Sequence, residues 1–145
     1  MSTRIDDRLF VADGYGSNYI STANVKTKKW TGIFGGPTKD PKEDGKFATA
    51  HGLNRNPVHR NLDICDRPSS RVQVHAPDGK FLSSHKFPAG AFLCGINYFK
   101  FQEHWYGVIG CLKDAEASRP APVYIIDAEP YELLSIVRPK EELGV

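Results

Sequence analysis

The chain has 145 residues, of which 40% are hydrophobic and 25% are charged, and its formal net charge is +2. This length suits a single domain, and the ordinary composition excludes a collagen, a coiled coil and a wholly disordered chain. The 19 basic and 17 acidic residues form no concentrated basic tract, which argues against nucleic acid as a partner.

Membrane and disulfide signals are also missing from the sequence. No apolar run reaches the roughly 18–20 residues that a membrane helix needs, and the segment Met1–Arg8 is polar. We therefore expect a soluble chain without a signal peptide or a transmembrane segment. Three widely spaced cysteines, Cys65, Cys94 and Cys111, predict neither a disulfide framework nor a cysteine-based zinc site.

Short runs in which apolar and polar residues alternate recur along the chain, separated by clusters of Gly, Pro, Asn and Asp, whereas helical periodicity is nearly absent. In chain order the pattern predicts strands at Arg8–Asp13, Asn18–Val25, Trp30–Phe34, Leu62–Asp66, Arg71–His75, Phe81–His85, Phe92–Phe101, Trp105–Cys111, Pro122–Asp127 and Leu133–Val137. Lys39–Lys46 is a charged loop, and Ala76–Lys80 is a hairpin turn in which Gly79 tolerates a positive φ. Strands recurring every 10 to 12 residues or so predict an all-β sandwich, barrel or propeller.

An internal repeat favours the propeller. The runs Leu9–Asp13 and Leu62–Asp66 share an apolar-x-apolar-x-Asp frame and begin 53 residues apart. A looser third copy, 44 residues further on, places Tyr106 and Val108 at the two apolar positions. Repeats of this length, each with room for four short strands, are typical of propeller blades.

The three repeats correspond roughly to blades at 8–36, 47–88 and 91–139 within one domain, 1–145, and the first blade lacks its inner strand. Propellers close with about four to eight blades, and three alone leave sheet faces uncovered. We therefore expect half of a six-bladed propeller and a homodimer that completes the ring. The alternative is that the chain is a piece of a longer gene product.

The motifs themselves resemble those of the NHL-repeat family. The residues that carry the resemblance are Phe47–Leu53 (FATAHGL), Leu62–Val74 (LDICDRPSSRVQV) and the turn Asp78–Phe81 (DGKF). Val11–Asn18 (VADGYGSN) resembles a blade motif of one subgroup, the peptidylglycine α-amidating lyases, whose fold is a six-bladed propeller. The resemblance covers nearly the whole chain but only about the middle half of such an enzyme.

The resemblance implies a metal-dependent carbon–nitrogen lyase. In that group, a channel zinc held by three histidines acts on a peptidyl-α-hydroxyglycine, which is cleaved to the peptide amide and glyoxylate. His51 matches one zinc ligand, Tyr15 the tyrosine that takes the substrate hydroxyl proton, and Arg67 an arginine beside the substrate. Zinc is the cofactor that the resemblance implies, ahead of calcium.

The sequence also departs from the motifs of that group. The other two zinc histidines have no equivalent in this chain, and Ala50 replaces the proline before the signature histidine. Gly16 and Asp63 stand where the lyases have cysteines. Because a catalytic zinc normally takes three protein ligands, His51 alone is not a zinc site.

Two functions therefore stay open. The first is a lyase-like enzyme, with His51, Tyr15 and Arg67 in the roles above. The second is a non-catalytic propeller that binds a peptide, a small molecule or another protein. In that case Tyr15 is a packed turn residue, Arg67 pairs with a carboxylate, and His51 is a hydrogen-bonded channel histidine.

The remaining polar residues are expected to be structural. Asp13 and Asp66 should cap the backbone amides of the turns that follow them. His75 and His85 should lie on outward strand faces, and Cys94 and Cys111 should be neighbouring buried thiols.

Overall fold

The computed structural model describes residues 1–144, which form an all-β chain, as predicted. The twelve strands of this range are β1 (Ser2–Ile5), β2 (Arg8–Ala12), β3 (Tyr19–Asn24), β4 (Lys29–Gly35), β5 (Ala50–Arg55), β6 (Leu62–Asp66), β7 (Arg71–His75), β8 (Phe81–Lys86), β9 (Leu93–Phe101), β10 (His104–Cys111), β11 (Val123–Asp127) and β12 (Leu133–Val137). A 3-10 helix at Arg67–Ser69 joins β6 to β7, and a short helix, α1, covers Pro139–Leu143.

The strands form three antiparallel sheets of four, each in simple chain order: β1–β4, β5–β8 and β9–β12. Such consecutive four-stranded units are the blades of a propeller. The first sheet begins at Ser2 rather than at Arg8, because Ser2–Ile5 pairs with β2 in an antiparallel register. The prediction that the first blade lacks an inner strand is therefore wrong. The sequence STRI has a single large apolar residue and so gives little strand signal.

The internal repeat corresponds to the second strand of each sheet: β2, β6 and β10. In β6, Leu62 and Ile64 face the first sheet and belong to the core between the two. In β10, the residue that packs against the preceding sheet is Ile109, which is fully buried, whereas Tyr106 and Val108 point to the opposite face. The third copy of the frame is thus one residue later than predicted, a shift that exchanges the two faces of a strand.

Two hydrophobic cores lie between the sheets, one on each side of the middle sheet. Between the first and second sheets pack Ile5, Phe10, Ala12, Ile20, Phe47, Ala50, Leu53, Leu62 and Ile64. Between the second and third sheets pack Cys65, Val72, Val74, Phe87, Ala91, Leu93, Ile96, Ile109, Tyr124, Ile126 and Tyr131. Because the middle sheet is covered on both faces, every residue of β6 and β7 is buried.

The hairpin turn Ala76–Lys80 is present as predicted, and Gly79 adopts φ +95°. His75, at the end of β7, is buried at 1% exposure rather than pointing outward, so that prediction is wrong. Its ring lies 5.2 Å from that of Phe34 and 5.6 Å from that of Phe47, measured between centroids. Burial among these rings lowers the pKa of His75.

The first strands of the three sheets lie side by side, with β5 between β1 and β9. The approach is closest at Gly52 in β5, where a Cβ atom would lie 2.5 Å from Gly95 Cα in β9 and closer still to the Cys94 carbonyl. Only glycine permits two backbones to approach this closely. We call this side of the molecule the inner edge, and it carries the candidate site.

Neither helix within residues 1–144 has the length and apolar content that crossing a membrane requires.

Candidate functional site

Tyr15 lies in the turn after β2, and Asp13 holds that turn in place. The Asp13 carboxylate accepts hydrogen bonds from the backbone N–H groups of Gly16 (3.1 Å) and Ser17 (2.9 Å), as predicted for a residue that caps its turn. The bond from the Ser17 amide is the main reason that the pKa of Asp13 is lowered. At Gly14, any Cβ atom would clash with the Ala50 carbonyl, so the turn lies directly against the start of β5.

His51 is the second residue of β5, and its hydrogen bonds determine which of its ring nitrogens carries the proton. Nδ1 lies 2.6 Å from the backbone carbonyl oxygen of Cys94 in β9. A carbonyl oxygen can only accept, so Nδ1 is the donor. In the neutral ring Nε2 is then the acceptor, and it lies 3.2 Å from the hydroxyl of Tyr15.

Arg67 is the first residue of the 3-10 helix, and its Nη1 donates to Tyr15 Oη over 2.7 Å. The guanidinium carbon also lies 5.0 Å from the centroid of the Tyr15 ring, a cation–π distance. Burial acts to lower the pKa of Arg67. The hydrogen bond to Tyr15 and the nearby Cys94 thiol act in the opposite direction, and the pKa is raised overall.

Asp66, the last residue of β6, has hydrogen-bond partners that the sequence does not predict. Its Oδ1 accepts from the amides of Ala48 (2.9 Å) and Thr49 (3.0 Å), which precede β5, and its Oδ2 accepts from Arg71 Nε (3.0 Å). The expected role, capping of the following turn, is therefore wrong for Asp66. The carboxylate instead connects the segment before His51 to β6, the strand that ends just before Arg67.

The structure thus brings the three predicted site residues into direct contact. One chain of hydrogen bonds runs from Arg67 to Tyr15, from Tyr15 to His51 Nε2, and from His51 Nδ1 to the carbonyl of Cys94. The ring of Tyr15 stands edge-on to that of His51, with centroids 5.5 Å apart. Tyr15 is 79% exposed, so its hydroxyl is accessible to a ligand from solvent.

Cys94 is the member of the cluster that sequence reasoning missed. It lies in β9 of the third sheet, half-buried, and contributes its carbonyl to His51 and its thiol to the surroundings of Arg67. No local motif marks it, because the contact exists only once β5 and β9 are adjacent. All three cysteines are free thiols. Burial first, and then the negative potential of Cys94, raise the pKa of Cys111 to about 12.

The donor set does not fit the zinc site that the resemblance implies. Within residues 1–144 no group of three or more His, Cys, Asp or Glu side chains converges to hold a metal ion. His51 contributes one nitrogen, and that nitrogen is already paired with Tyr15. A three-histidine zinc centre therefore cannot be built from the described residues of one chain.

Comparison with known proteins bears on the fold. No protein-family model matches the chain, and no curated protein matches it. Among solved structures, it is similar to Kuenenia stuttgartiensis hydrazine synthase, with a TM-score of 0.63 and 16% identity over 90% of this chain and 32% of that one. It is also similar to a Bacteroides caccae protein of unknown function, with a TM-score of 0.60 and 17% identity over 94% of this chain and 44% of that one.

At these identities the similarity shows the fold alone. This chain spans about a third of the first structure and less than half of the second. Together with the three meandering sheets, the comparisons identify the fold of the chain as three blades, which is half of a β-propeller.

Proposed function

We propose that the cluster of Tyr15, His51 and Arg67 is the base site of a lyase that cleaves an N-substituted α-hydroxyglycine to an amide and glyoxylate. The observation that carries the proposal is the unbroken chain of hydrogen bonds from Arg67 through Tyr15 to His51. The resemblance of the VADGYGSN and FATAHGL segments to the lyase motifs supports the substrate class.

In this proposal Tyr15 takes the proton of the substrate hydroxyl. A phenol becomes a base only after losing its own proton, and His51 Nε2 is the acceptor for it. The positive charge of Arg67, whose N–H group donates to the same oxygen, stabilises the phenolate that results. These two contacts support the assignment of Tyr15 as the general base.

The reaction needs no oxidant or reductant. The hydroxyl proton passes to Tyr15 Oη, the O–H electron pair forms the carbonyl of glyoxylate, and the C–N bond breaks with its electrons on nitrogen. The protonated ring of His51 returns a proton to that nitrogen, which leaves as the amide. Both residues then regain their starting states, so atoms and charge balance.

Arg67 also suits the carboxylate of such a substrate. A guanidinium has five N–H donors in a fixed plane, and the contact with Tyr15 uses one of them. The others can form a paired contact with a carboxylate, which lysine cannot reproduce. Substrate and base would thus be held by one side chain.

We expect the Tyr15→Phe variant to lower kcat/KM for an N-acyl-α-hydroxyglycine by about 10²- to 10⁴-fold, because it removes only the hydroxyl. The measurement is glyoxylate released above the buffer background, with α-hydroxyhippurate as the substrate. Tyr19→Phe is the matched control, since Tyr19 lies at the start of β3 and its hydroxyl takes no part in the cluster. Release at the background rate by the unaltered chain, or equal rates for the unaltered chain and Tyr15→Phe, would overturn the proposal.

The exposure of Tyr15 favours a second function, a non-catalytic binding surface. An exposed aromatic ring beside a guanidinium can hold a peptide or a small acid without reacting with it. In that case the same acid binds in equilibrium dialysis without release of glyoxylate, and both Tyr15→Phe and His51→Ala retain most of the affinity.

A further inference from the structure

The two outer sheets each leave one apolar face uncovered. In the first sheet, the register aligns Val11, Ser21 and Ile33 across three strands, and next to them Leu9, Ala23 and Trp30. We call this set the trailing face, because the opposite face packs against the following sheet. Trp30 is 69% exposed and Ile33 is 65% exposed.

The third sheet has the complementary arrangement. Its trailing face, with Ile96, Ile109 and Tyr124, packs against the middle sheet. The opposite side, which we call the leading face, carries Phe99, Phe101, Tyr106, Val108 and Ile125. Phe101 is 60% exposed and Phe99 is 42% exposed. Apolar faces of this extent are rarely left in water by a soluble domain.

Both junctions inside the chain follow one rule. The leading face of the first sheet packs against the trailing face of the second, and the leading face of the second packs against the trailing face of the third. Only one trailing face and one leading face within the described range stay unpaired. A second copy of the chain continues this series if the leading face of one copy's third sheet packs against the trailing face of the other copy's first sheet.

From this pattern we infer that two copies of the chain close into a six-bladed ring, in which each copy's third sheet packs against the other copy's first sheet. Two copies make six blades, which lies within the range of about four to eight blades over which propellers close, whereas three copies make nine. A two-fold axis along the ring makes the two junctions identical, the commonest symmetry of homo-oligomers. The two Tyr15–His51–Arg67 clusters, each formed by the first and second sheets of one copy, then lie on opposite sides of the axis.

The first test is the mass of the full chain in solution by light scattering. We expect twice the mass of one chain at micromolar concentration. Ile33→Asp on the trailing face and Phe99→Asp on the leading face should each weaken dimerisation by at least about 100-fold, because each places a charge in both junctions. Leu82→Asp is the matched control, since Leu82 is exposed on the outer strand of the middle sheet.

Mixing the two variants provides the decisive measurement. A ring formed from one Ile33→Asp chain and one Phe99→Asp chain has one junction with both faces intact, so the equimolar mixture should dimerise more tightly than either variant alone. Circular dichroism and thermal melting of each variant verify that it is folded. A mass of one chain for the unaltered protein at 100 µM or so would overturn the inference and assign the faces to another occupant, such as further blades. The inference would also be overturned if neither substitution changed the dissociation constant of the dimer. The same holds if the mixture dimerised no more tightly than each variant alone.

Discussion

Asp63 is a fully buried carboxyl group in β6, at the junction of the second and third sheets. It accepts hydrogen bonds from the hydroxyls of Tyr131, at 2.8 and 2.9 Å, and Tyr98, and from Asn56 Nδ2 at 3.1 Å. Asn56 also donates to the Ala128 carbonyl of the third sheet. Burial raises the pKa of Asp63 to about 6, although the three hydrogen bonds oppose this effect. The carboxyl group thus joins two sheets through three hydrogen-bond donors.

This raised pKa predicts a pH-dependent stability. The ordinary pKa is 3.8, so between pH 4 and pH 6 the folded state holds the proton more tightly than the unfolded state does. The contribution of Asp63 to the free energy of unfolding is therefore complete below the lower pKa and falls as pH rises through 6. The Asp63→Asn variant cannot ionise at this position. The free energy of unfolding of the variant minus that of the unaltered chain should therefore rise by on the order of 2 kcal/mol from pH 4 to pH 7.

Urea unfolding at several pH values checks this difference directly. The matched control is Asp78→Asn, because Asp78 is exposed in the hairpin turn. This substitution should leave the pH dependence of the free energy of unfolding as it is in the unaltered chain. If the free energy of unfolding of the unaltered chain and that of Asp63→Asn changed in parallel with pH, the raised pKa of Asp63 would be contradicted.

Among the strands, β5 carries the tightest packing constraint. It lies between β1 and β9, and Gly52 is the position at which its backbone meets that of β9. The same contact sets the position of the Cys94 carbonyl, which orients the His51 ring. Packing of the strand and geometry of the site are therefore linked through one glycine.

We expect Gly52→Ala to destabilise the chain by about 2–3 kcal/mol, because the added methyl group meets backbone atoms that must move. Chemical denaturation measures the loss. Gly110→Ala in β10 is the control, since no atom lies within 4 Å of the position that its Cβ would take. Equal stability of the two variants would show that the β5–β9 approach imposes no constraint.

At the scale of the whole molecule, protection from solvent decreases from the middle sheet outwards. Every residue of β6 and β7 is buried, whereas five of the seven residues of β4 are exposed. Hydrogen-bonded amides in elements with few buried contacts open by local fluctuations, and those in the core open only on global unfolding. The outer strands should therefore open first.

Hydrogen exchange measured on the chain at a concentration too low for association should reveal this order. We expect the amides of β6 and β7 to exchange at least about 100-fold more slowly than those of β4 and β12. Uniform protection across the three sheets would contradict a core centred on the middle sheet. At higher concentration β4 should gain protection if the dimer forms.

The sequence by itself predicted ten of the twelve strands in the described range and three residues of the candidate site. Ten strands, the Ala76–Lys80 turn and the four-stranded repeat depend on alternation and turn chemistry within a few residues, which is why they could be predicted. Tyr15, His51 and Arg67 were predicted because the segments that contain them resemble motifs of a known family. These signals are local in the chain.

The tertiary structure alone decided the contacts between sheets. The roles of Cys94 and Asp63, the burial of His75 and the partners of Asp66 depend on which strands are adjacent in space, and no run of residues encodes that adjacency. The third repeat was displaced by one residue because a glycine-rich strand, with Gly107 and Gly110, has apolar residues on both faces. Its register follows from packing against the middle sheet rather than from alternation.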